Sequence, residues 1–504
     1  MNNLADLIAV TQRPARALAA LAKGIAPARG DAKVKDIRDD SRTIEAGEAF
    51  LCLPRATDPN RFLDMARKRG ASAAIVIGNR PVDNVLPFVQ LHTMEQAGQL
   101  LRRWFGTEKS AVRYIGITGT DGKTSATWML RQALTRAGRR CWSIGTLGWI
   151  RDDGAILDIG NTTPSLLTMH RLLCAASQQG IDNLVAEISS HGIAQGRIAG
   201  IDMAASVWTS LGHDHLQDHG GFDNYANTKA GFIVGTLARG SVAIANADYA
   251  EIRRRLDAST DVCWYGHGLY RHDVNLGWEQ ELPGMVRLKY REQEVLIEDI
   301  PFGDFHAENV ACTAAVLLTA LDIPAQSLPA VLTGISAPPG RMQAVNIGRW
   351  QVFIDYAHTP ESLEKCLTSA RKMTRKRLCV VFGCGGERDR EKRPQMGEIA
   401  VRLADAVWIT SDNPRNERPE VIASEIENGM PKPYGAEVHL QLDRRQAIAD
   451  AIAQLEPGDA LVIAGKGHEA YMEISGKRTP WSDADIAAQY LHAKSGDEGL
   501  RACA

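Results

Sequence analysis

The chain has 504 residues, 44 % of them hydrophobic and 23 % charged, with a net charge of -2 at pH 7. At roughly 150 residues per domain this is two to four soluble domains with enough apolar content for large cores. No basic block is present to follow a nucleic-acid backbone, and no apolar run nears the ~18 residues of a membrane span. The nine cysteines are scattered without a Cys-x-x-Cys pair, which disfavours zinc and dithiol chemistry and suits a reducing cytoplasm.

In chain order, "MNNLADLIAVTQRPARALAALAKG" carries Asp6, Arg13 and Arg16 and predicts a helix rather than a secretion signal. Residues 1 to about 110 then alternate short apolar runs ("EAFLCL", "ASAAIVI") with helix-like segments ("NRFLDMARKRG"), a small α/β unit. A second block opens with the buried-strand pattern "VRYIGITGT", a glycine loop and the helix "SATWMLRQALTRAG". "NLVAEIS", "AASVWTSL" and "SVAIANA" are further strands, and alternation with helices predicts a mostly parallel sheet. Residues 260 to 302 read as β-rich, "AENVACTAAVLLTAL" as a helix, and "SAPPGRMQ" as a linker. A third block offers four strands, "WQVFIDYA", "RLCVVFGCGG", "DAVWITSDN" and "DALVIAG", each ending in a polar or glycine-rich loop. Ligands of open α/β sheets sit beyond the carboxyl ends of the strands, so these loops are expected to face one site. The expected domains are residues 1–110, 111–337 and 338–504.

The loop "TGTDGKTSATWML" carries the first chemistry. Gly119 and Gly122 let backbone N–H groups approach phosphate, and the following helix N-terminus adds positive potential. Lys123 can reach terminal phosphates and Thr124 can ligate magnesium. A strict phosphate loop needs glycine six residues before the lysine, where Ile117 stands, so the loop is a variant. The plain alternative is a tight β–α turn with an exposed lysine.

The pattern Thr118-Gly119-Thr120-x-Gly122-Lys123-Thr124 resembles the ATP loop of the Mur ligases, which join amino acids to a growing cell-wall peptide. "NTTPSLLTMHRLL", "EISSHGIAQGR", "LGHDHLQDHG", "DYAHTPESL", "GCGGERDREKRPQM", "SDNPRNERP" and "GKGHE" follow in the family's order across nearly the whole chain. Together they resemble the branch that adds the third peptide residue. The resemblance implies a three-domain α/β architecture: an N-terminal domain for a UDP-linked substrate, a central P-loop ATPase-like sheet, and a Rossmann-like C-terminal domain for the amino acid. It implies an ATP-dependent amide ligase of peptidoglycan precursor synthesis, cytoplasmic and monomeric. Its partners would be small molecules, ATP and Mg2+, with neither nucleic acid nor membrane.

Residue roles follow from the same resemblance. Gly119, Thr120, Gly122, Lys123, Thr124 and Ser125 would hold the phosphates. Glu187 and His215 would hold a second magnesium, with Thr124 serving the first. Lys229 matches the lysine the family carbamylates, which turns a cation that repels metal into an anion that binds it. Ser41, Thr162, Thr163, Ser189, Gln195 and Arg197 would hold the nucleotide-sugar peptide, and Asn309, Arg341, Asp355 and His358 the nucleoside and γ-phosphate of ATP. "DNPR" (Asp412 to Arg415) is the version of the meso-diaminopimelate-adding branch. Arg415 can pair with the distal carboxylate that diaminopimelate has and lysine lacks. Asp412 and Glu469 could hold its ammonium and Arg388 (or Arg390, one register along) its other carboxylate, with Asn413 and Gly465 beside them. Bland readings stand next to several of these: a helix cap for Thr162–Thr163, a satisfied core histidine for His215, a β-turn for the Asn-Pro pair. The chain departs from the family at Pro59, Asp121, Ser210, His306 and Met472. These departures also fit a paralogue with another carboxylate acceptor, or a silent nucleotide-binding protein that has kept the fold.

Overall fold

The computed structural model describes residues 4–54, 58–78, 86–212, 216–256, 261–345 and 350–502. They divide into two compact units. One comprises Met1–Glu279, Arg287–Leu296 and Glu308–Leu332; the other comprises Gln280–Val286, Ile297–Ala307 and Thr333–Ala504.

Besides the short antiparallel pair Arg16–Ala17 and Lys33–Val34, the described residues of the first unit form two larger sheets. The smaller one orders Ala28–Arg29, Phe88–Leu91, Ala73–Ile77, Ala49–Cys52 and Ile37–Arg38, parallel except for the first pair. The N-terminal segment is not one helix. It forms Leu4–Val10 and Leu18–Ala22, separated around Pro14, because proline lacks the N–H for a helical bond and pushes Arg13 out of the α region. Pro59 takes the first position of helix Pro59–Lys68, where its missing N–H costs nothing, and Asp58 caps the helix through the N–H groups of Asn60 and Arg61. The larger sheet has a parallel core in the order Cys141–Gly145, Asn183–Glu187, Arg113–Thr118, Ala205–Trp208, Val242–Asn246 and Val262–His267. Its apolar runs are buried on both faces, as covered parallel strands require, with Trp142 and Trp208 wholly enclosed. The β-rich stretch continues as Leu276–Leu282, Met285–Tyr290 and Gln293–Ile297.

The two sheets of this unit are tied by a buried ion pair. Arg171, on helix Leu166–Gln178, donates to both Asp36 oxygens at 2.8 Å and to Thr11 Oγ1 at 2.9 Å. Close to it, Gly98 and Gly200 let two backbones touch: a Cβ on Gly98 would lie 2.3 Å from the Ala199 carbonyl.

The second unit is a doubly wound sheet in the order Gln343–Ala344, Gln351–Asp355, Ala460–Ala464, Leu378–Phe382, Ala406–Ile409 and Glu437–Leu440, parallel except for the first pair. Helices Pro360–Met373, Lys392–Leu403 and Pro419–Glu427 bury their apolar stripes on one face. Arg444–Gln454 and Asp483–Ala502 cover the other. Since the strands ending at Asp355, Phe382, Ile409 and Ala464 are parallel, the loops after them emerge at one end, as the sequence led us to expect.

Candidate active site

In the first unit the site begins where strand Arg113–Thr118 enters its glycine loop and helix Lys123–Arg136 leaves it. Gly122 has φ +84°, and a Cβ there would lie 2.9 Å from Asn309 Oδ1. A Cβ on Gly119 would meet Thr209 Oγ1 at 2.0 Å, so both positions require glycine. Lys123 Nζ folds back to donate to the carbonyls of Gly119 and Thr120, each at 2.8 Å, and its charge therefore sits over the loop. Thr120 Oγ1 meets the Tyr225 hydroxyl at 2.9 Å and accepts the Gly212 N–H.

Two departures from the family find physical roles here. Asp121 has an exposed side chain, so its carboxylate stands at the loop's surface. Its backbone is fixed by Ser210, whose hydroxyl accepts the Asp121 N–H at 2.8 Å and donates to the Asp121 carbonyl at 2.9 Å. A hydroxyl is donor and acceptor at once, so serine suffices to pin this turn.

Glu187 closes its strand 1 % exposed. It accepts from Thr124 Oγ1 (2.9 Å), the Thr146 N–H (2.9 Å) and Thr146 Oγ1 (3.1 Å), and has no basic partner among the described residues. A buried carboxylate with only neutral donors is the donor chemistry a hard cation needs, and Thr124 supplies a second oxygen. No group of three His, Cys, Asp or Glu side chains with metal-binding spacing occurs among the described residues. His215 lies outside them. Lys229 is buried, donates to the Gly119 carbonyl (2.9 Å) and Thr118 Oγ1 (3.3 Å), and stands 4.7 Å over the Tyr225 ring.

Beside Glu187 lies a hydroxyl cluster. Thr163 Oγ1 donates to the Glu187 carbonyl and accepts the Ser189 N–H, both at 2.9 Å, while Ser189 caps the short helix Ser190–Ala194. Thr162 meets Thr146 hydroxyl to hydroxyl at 3.2 Å. Arg197 donates to the Thr163 carbonyl and, with two nitrogens, to Gln195 Oε1. The structure thus brings together Thr162, Thr163, Ser189, Gln195, Arg197, Glu187 and Thr124. It adds Thr146, which sequence reasoning missed and whose only signal was its place directly after an apolar strand. Ser125 is buried in the first helical turn, and Ser41 is buried in the turn after Ile37–Arg38.

In the second unit the four loops converge. Asp355 accepts the N–H groups of Met342 (2.7 Å) and Ala357 (2.8 Å); burial raises its pKa, opposed by Arg341. The Arg341 guanidinium stacks over the Tyr356 ring at 5.0 Å, and His358 Nδ1 meets the Tyr356 carbonyl at 2.8 Å. Desolvation by the surrounding loops lowers the pKa of His358. His306 is fully buried, and burial pushes it down to about 3 against the backbone of Arg341.

Asp412 is buried, which raises its pKa against the pull of Lys466 and Arg444. Gly465, with φ +109°, leaves room for it: a Cβ there would lie 2.6 Å from Asp412 Oδ2. Asn413 is held by internal hydrogen bonds. Its amide donates to Glu469 Oε2 at 2.7 Å, and its carbonyl accepts Lys466 Nζ at 3.0 Å and the Glu473 N–H at 2.9 Å. Lys466 also reaches Glu469 Oε2 at 3.0 Å, so Lys466 and Asn413 orient Glu469 through one oxygen. Lys466 was not singled out from the sequence, although it stands inside the quoted "GKGHE". Arg415 adopts φ +51°, uncommon for a residue with a side chain, and donates to the Gly386 carbonyl at 2.5 Å. Arg390 is committed to Glu425, while Arg388 is exposed on the same loop. Met472 is buried in the hairpin Tyr471–Ile474 and Lys477–Pro480.

Residues 117–317 match the Mur ligase middle domain and residues 340–467 the Mur ligase glutamate ligase domain. The chain is 36 % identical over 464 residues to the UDP-N-acetylmuramoyl-L-alanyl-D-glutamate--2,6-diaminopimelate ligase of Aquifex aeolicus, covering 91 % of this chain and 94 % of that protein. It is 36 % identical over 496 residues to the protein of the same name from Xanthomonas campestris pv. campestris, covering 96 % and 98 %. A solved structure of a ligase of that name superposes with a TM-score of 0.65 at 30 % identity, covering 92 % of this chain and 96 % of that one. MurF ligase from Thermotoga maritima, solved in complex with ADP, shares the fold with a TM-score of 0.60 at 16 % identity, over 91 % of this chain and 98 % of that one. The phosphate loop, the two-sided hydroxyl and carboxylate cluster, the convergent third-block loops and these matches lead to one assignment: the chain belongs to the Mur ligase family of ATP-dependent ligases.

Proposed function

We propose that this chain joins meso-diaminopimelate to UDP-N-acetylmuramoyl-L-alanyl-D-glutamate, in the cytoplasm and as a monomer. Residues 1–110 would hold the nucleotide sugar, 111–337 the ATP and 338–504 the amino acid. The observation that carries the choice of amino acid is the charge set of the third block. Asp412 and the Oε1 side of Glu469 can take an ammonium, while Arg415 and Arg388 can take carboxylates. Lysine has the ammonium but no distal carboxylate for Arg415.

The chemistry is an amide made from a carboxylate and an amine. A γ-carboxylate oxygen of the D-glutamate attacks the γ-phosphorus of ATP, and ADP leaves. The amine then attacks the acyl carbon, phosphate leaves with that carboxylate oxygen, and the amine loses a proton. Lys123 and the N–H groups of the loop would neutralise the transferring phosphoryl group, and positioning supplies most of the rest. Magnesium would be held by Thr124 and Glu187, with His215 and a carbamylated Lys229, and would supply charge neutralisation for the triphosphate and the incoming carboxylate. Arg197, Gln195, Ser189, Thr163 and Thr162 offer the donors that a diphosphate and a peptide carboxylate require. Asp355 and His358 would hold the nucleoside of ATP and Arg341 its γ-phosphate.

Oxygen transfer tests the reading. With the D-glutamate γ-carboxylate labelled with heavy oxygen, the released phosphate should carry one labelled atom per turnover. Unlabelled phosphate, accompanied by product, would exclude the acyl phosphate.

A further inference from the structure

We propose that Arg393 is a positioning residue for amino-acid selection, holding in register the two loops that carry Arg388 and Arg415. This rests on the third-block reading above. The hydrogen bonds of Arg393 run to neither Arg388 nor Arg415. It lies in the first turn of helix Lys392–Leu403 with its side chain fully buried. Its guanidinium reaches both loops at once. Nη2 donates to the Gly385 carbonyl at 3.1 Å, in the loop after Phe382. Nη1 and Nη2 donate to the two oxygens of Glu417 at 2.9 and 3.0 Å, just after the Asp412-to-Arg415 loop. Nη1 also donates to Glu425 at 2.6 Å, on helix Pro419–Glu427.

The loops so joined are in contact backbone to backbone. The Gly386 N–H donates to the Asn413 carbonyl at 2.9 Å, and a Cβ on Gly386 would lie 2.0 Å from the Pro414 carbonyl. Arg415 completes the arrangement by donating to the Gly386 carbonyl. Its left-handed backbone is held by the Glu473 carbonyl on its N–H and the Ser475 N–H on its carbonyl. A strained backbone persists only where its surroundings fix it, and Arg393 anchors Glu417, two residues further along the same loop. Glu417 carries the link further, accepting the Glu387 N–H next to Arg388. The helices beneath are equally close: a Cβ on Gly397 would lie 2.1 Å from the Ile426 carbonyl. A planar fork with several fixed donors can bridge three acceptors on separate segments; an ammonium on a flexible stem cannot.

The test uses the full chain with Arg393→Lys, and Glu417→Gln as a second variant that removes one acceptor while leaving the arginine in place. KM for meso-diaminopimelate, KM for ATP, the diaminopimelate-to-lysine product ratio and ligand-free melting are measured for each. Both variants should raise KM for meso-diaminopimelate by about tenfold or more, the scale of one charge-assisted hydrogen bond, and lower the product ratio, with KM for ATP within about twofold. Folded variants with unchanged diaminopimelate KM and product ratio would overturn the role. So would equal rises in KM for both substrates, which mark a merely structural residue. Wild-type turnover is the separate control: its absence with meso-diaminopimelate overturns the functional reading itself, whatever the variants do.

Discussion

Glu187→Gln separates the cost of holding a charge from its use. The carboxylate is 1 % exposed and receives three hydrogen bonds from neutral donors. Glutamine keeps the shape. Its carbonyl can take the Oε1 place and keep the Thr146 N–H bond. Its NH2 then faces the hydroxyls of Thr124 and Thr146, which can rotate from donor to acceptor. No bond need be lost, and a buried charge without a basic partner among the described residues is removed. Stability in the absence of ligand should therefore stay within ~1 kcal/mol of wild type or increase. Turnover should move the other way. Two unit charges about 4 Å apart at an effective dielectric of about 20 interact by ~4 kcal/mol, and ~1.4 kcal/mol is a factor of ten. A fall of about 10^2- to 10^3-fold is expected, with more magnesium needed for half-maximal rate. Phosphate release against magnesium concentration, beside thermal unfolding of the free protein, measures both. A variant that turns over like wild type, or one that melts far lower, would refute the reasoning.

Three further outcomes follow from the geometry. Gly122→Ala places a Cβ 2.9 Å from Asn309 Oδ1 at φ +84°, so about 1–2 kcal/mol of strain should weaken ATP binding by about tenfold in calorimetry; wild-type affinity would show that the loop is not held as described. Asp483→Asn takes from the buried Arg444 guanidinium the carboxylate that its Nε and Nη2 now meet at 2.9 and 2.7 Å, and should cost about 3–5 kcal/mol in denaturant unfolding; a loss below ~1 kcal/mol would contradict it. Arg393 first, then the Glu387 N–H, holds the Glu417 carboxylate down to about 2 from its ordinary 4.5. A lowered carboxylate stabilises the fold above its ordinary value and loses that contribution as pH falls toward 2. The melting advantage of wild type over Glu417→Gln should thus be full at pH 6 and shrink between pH 4.5 and 2, and parallel curves across that range would count against the pairing.

What the sequence made legible was whatever repeats locally. The phosphate loop combines a buried strand, two glycines and a helix within a dozen residues. The third block's strands appear at Gln351–Asp355, Leu378–Phe382, Ala406–Ile409 and Ala460–Ala464 because each is a short apolar run buried on both faces. The parallel edge strand Glu437–Leu440 escaped notice because an edge exposes polar residues, and its pattern runs exposed at both ends. The break at Pro14 was readable from proline's chemistry but was outweighed by the surrounding alanines and leucines. The site was legible where motifs carried it and opaque where partners lie far apart in sequence. Thr146 joins Glu187 across 41 positions and Lys466 joins Asn413 across 53. Nothing local marks Arg393 as different from the lysine and arginine around it, since its role exists only once Gly385, Glu417 and Glu425 surround it. The family departures at Pro59, Asp121 and Ser210 read as anomalies in one dimension, and each has a local structural reason in three.

The central claim is a ligase specific for one amine. Phosphate release from ATP should be measured with purified protein and UDP-N-acetylmuramoyl-L-alanyl-D-glutamate, adding meso-diaminopimelate, lysine or no amine, with product mass read in parallel. Phosphate release and a tripeptide product are expected with meso-diaminopimelate, and little of either with lysine or without amine. Equal product with lysine, or no turnover in protein that binds ATP, would contradict it.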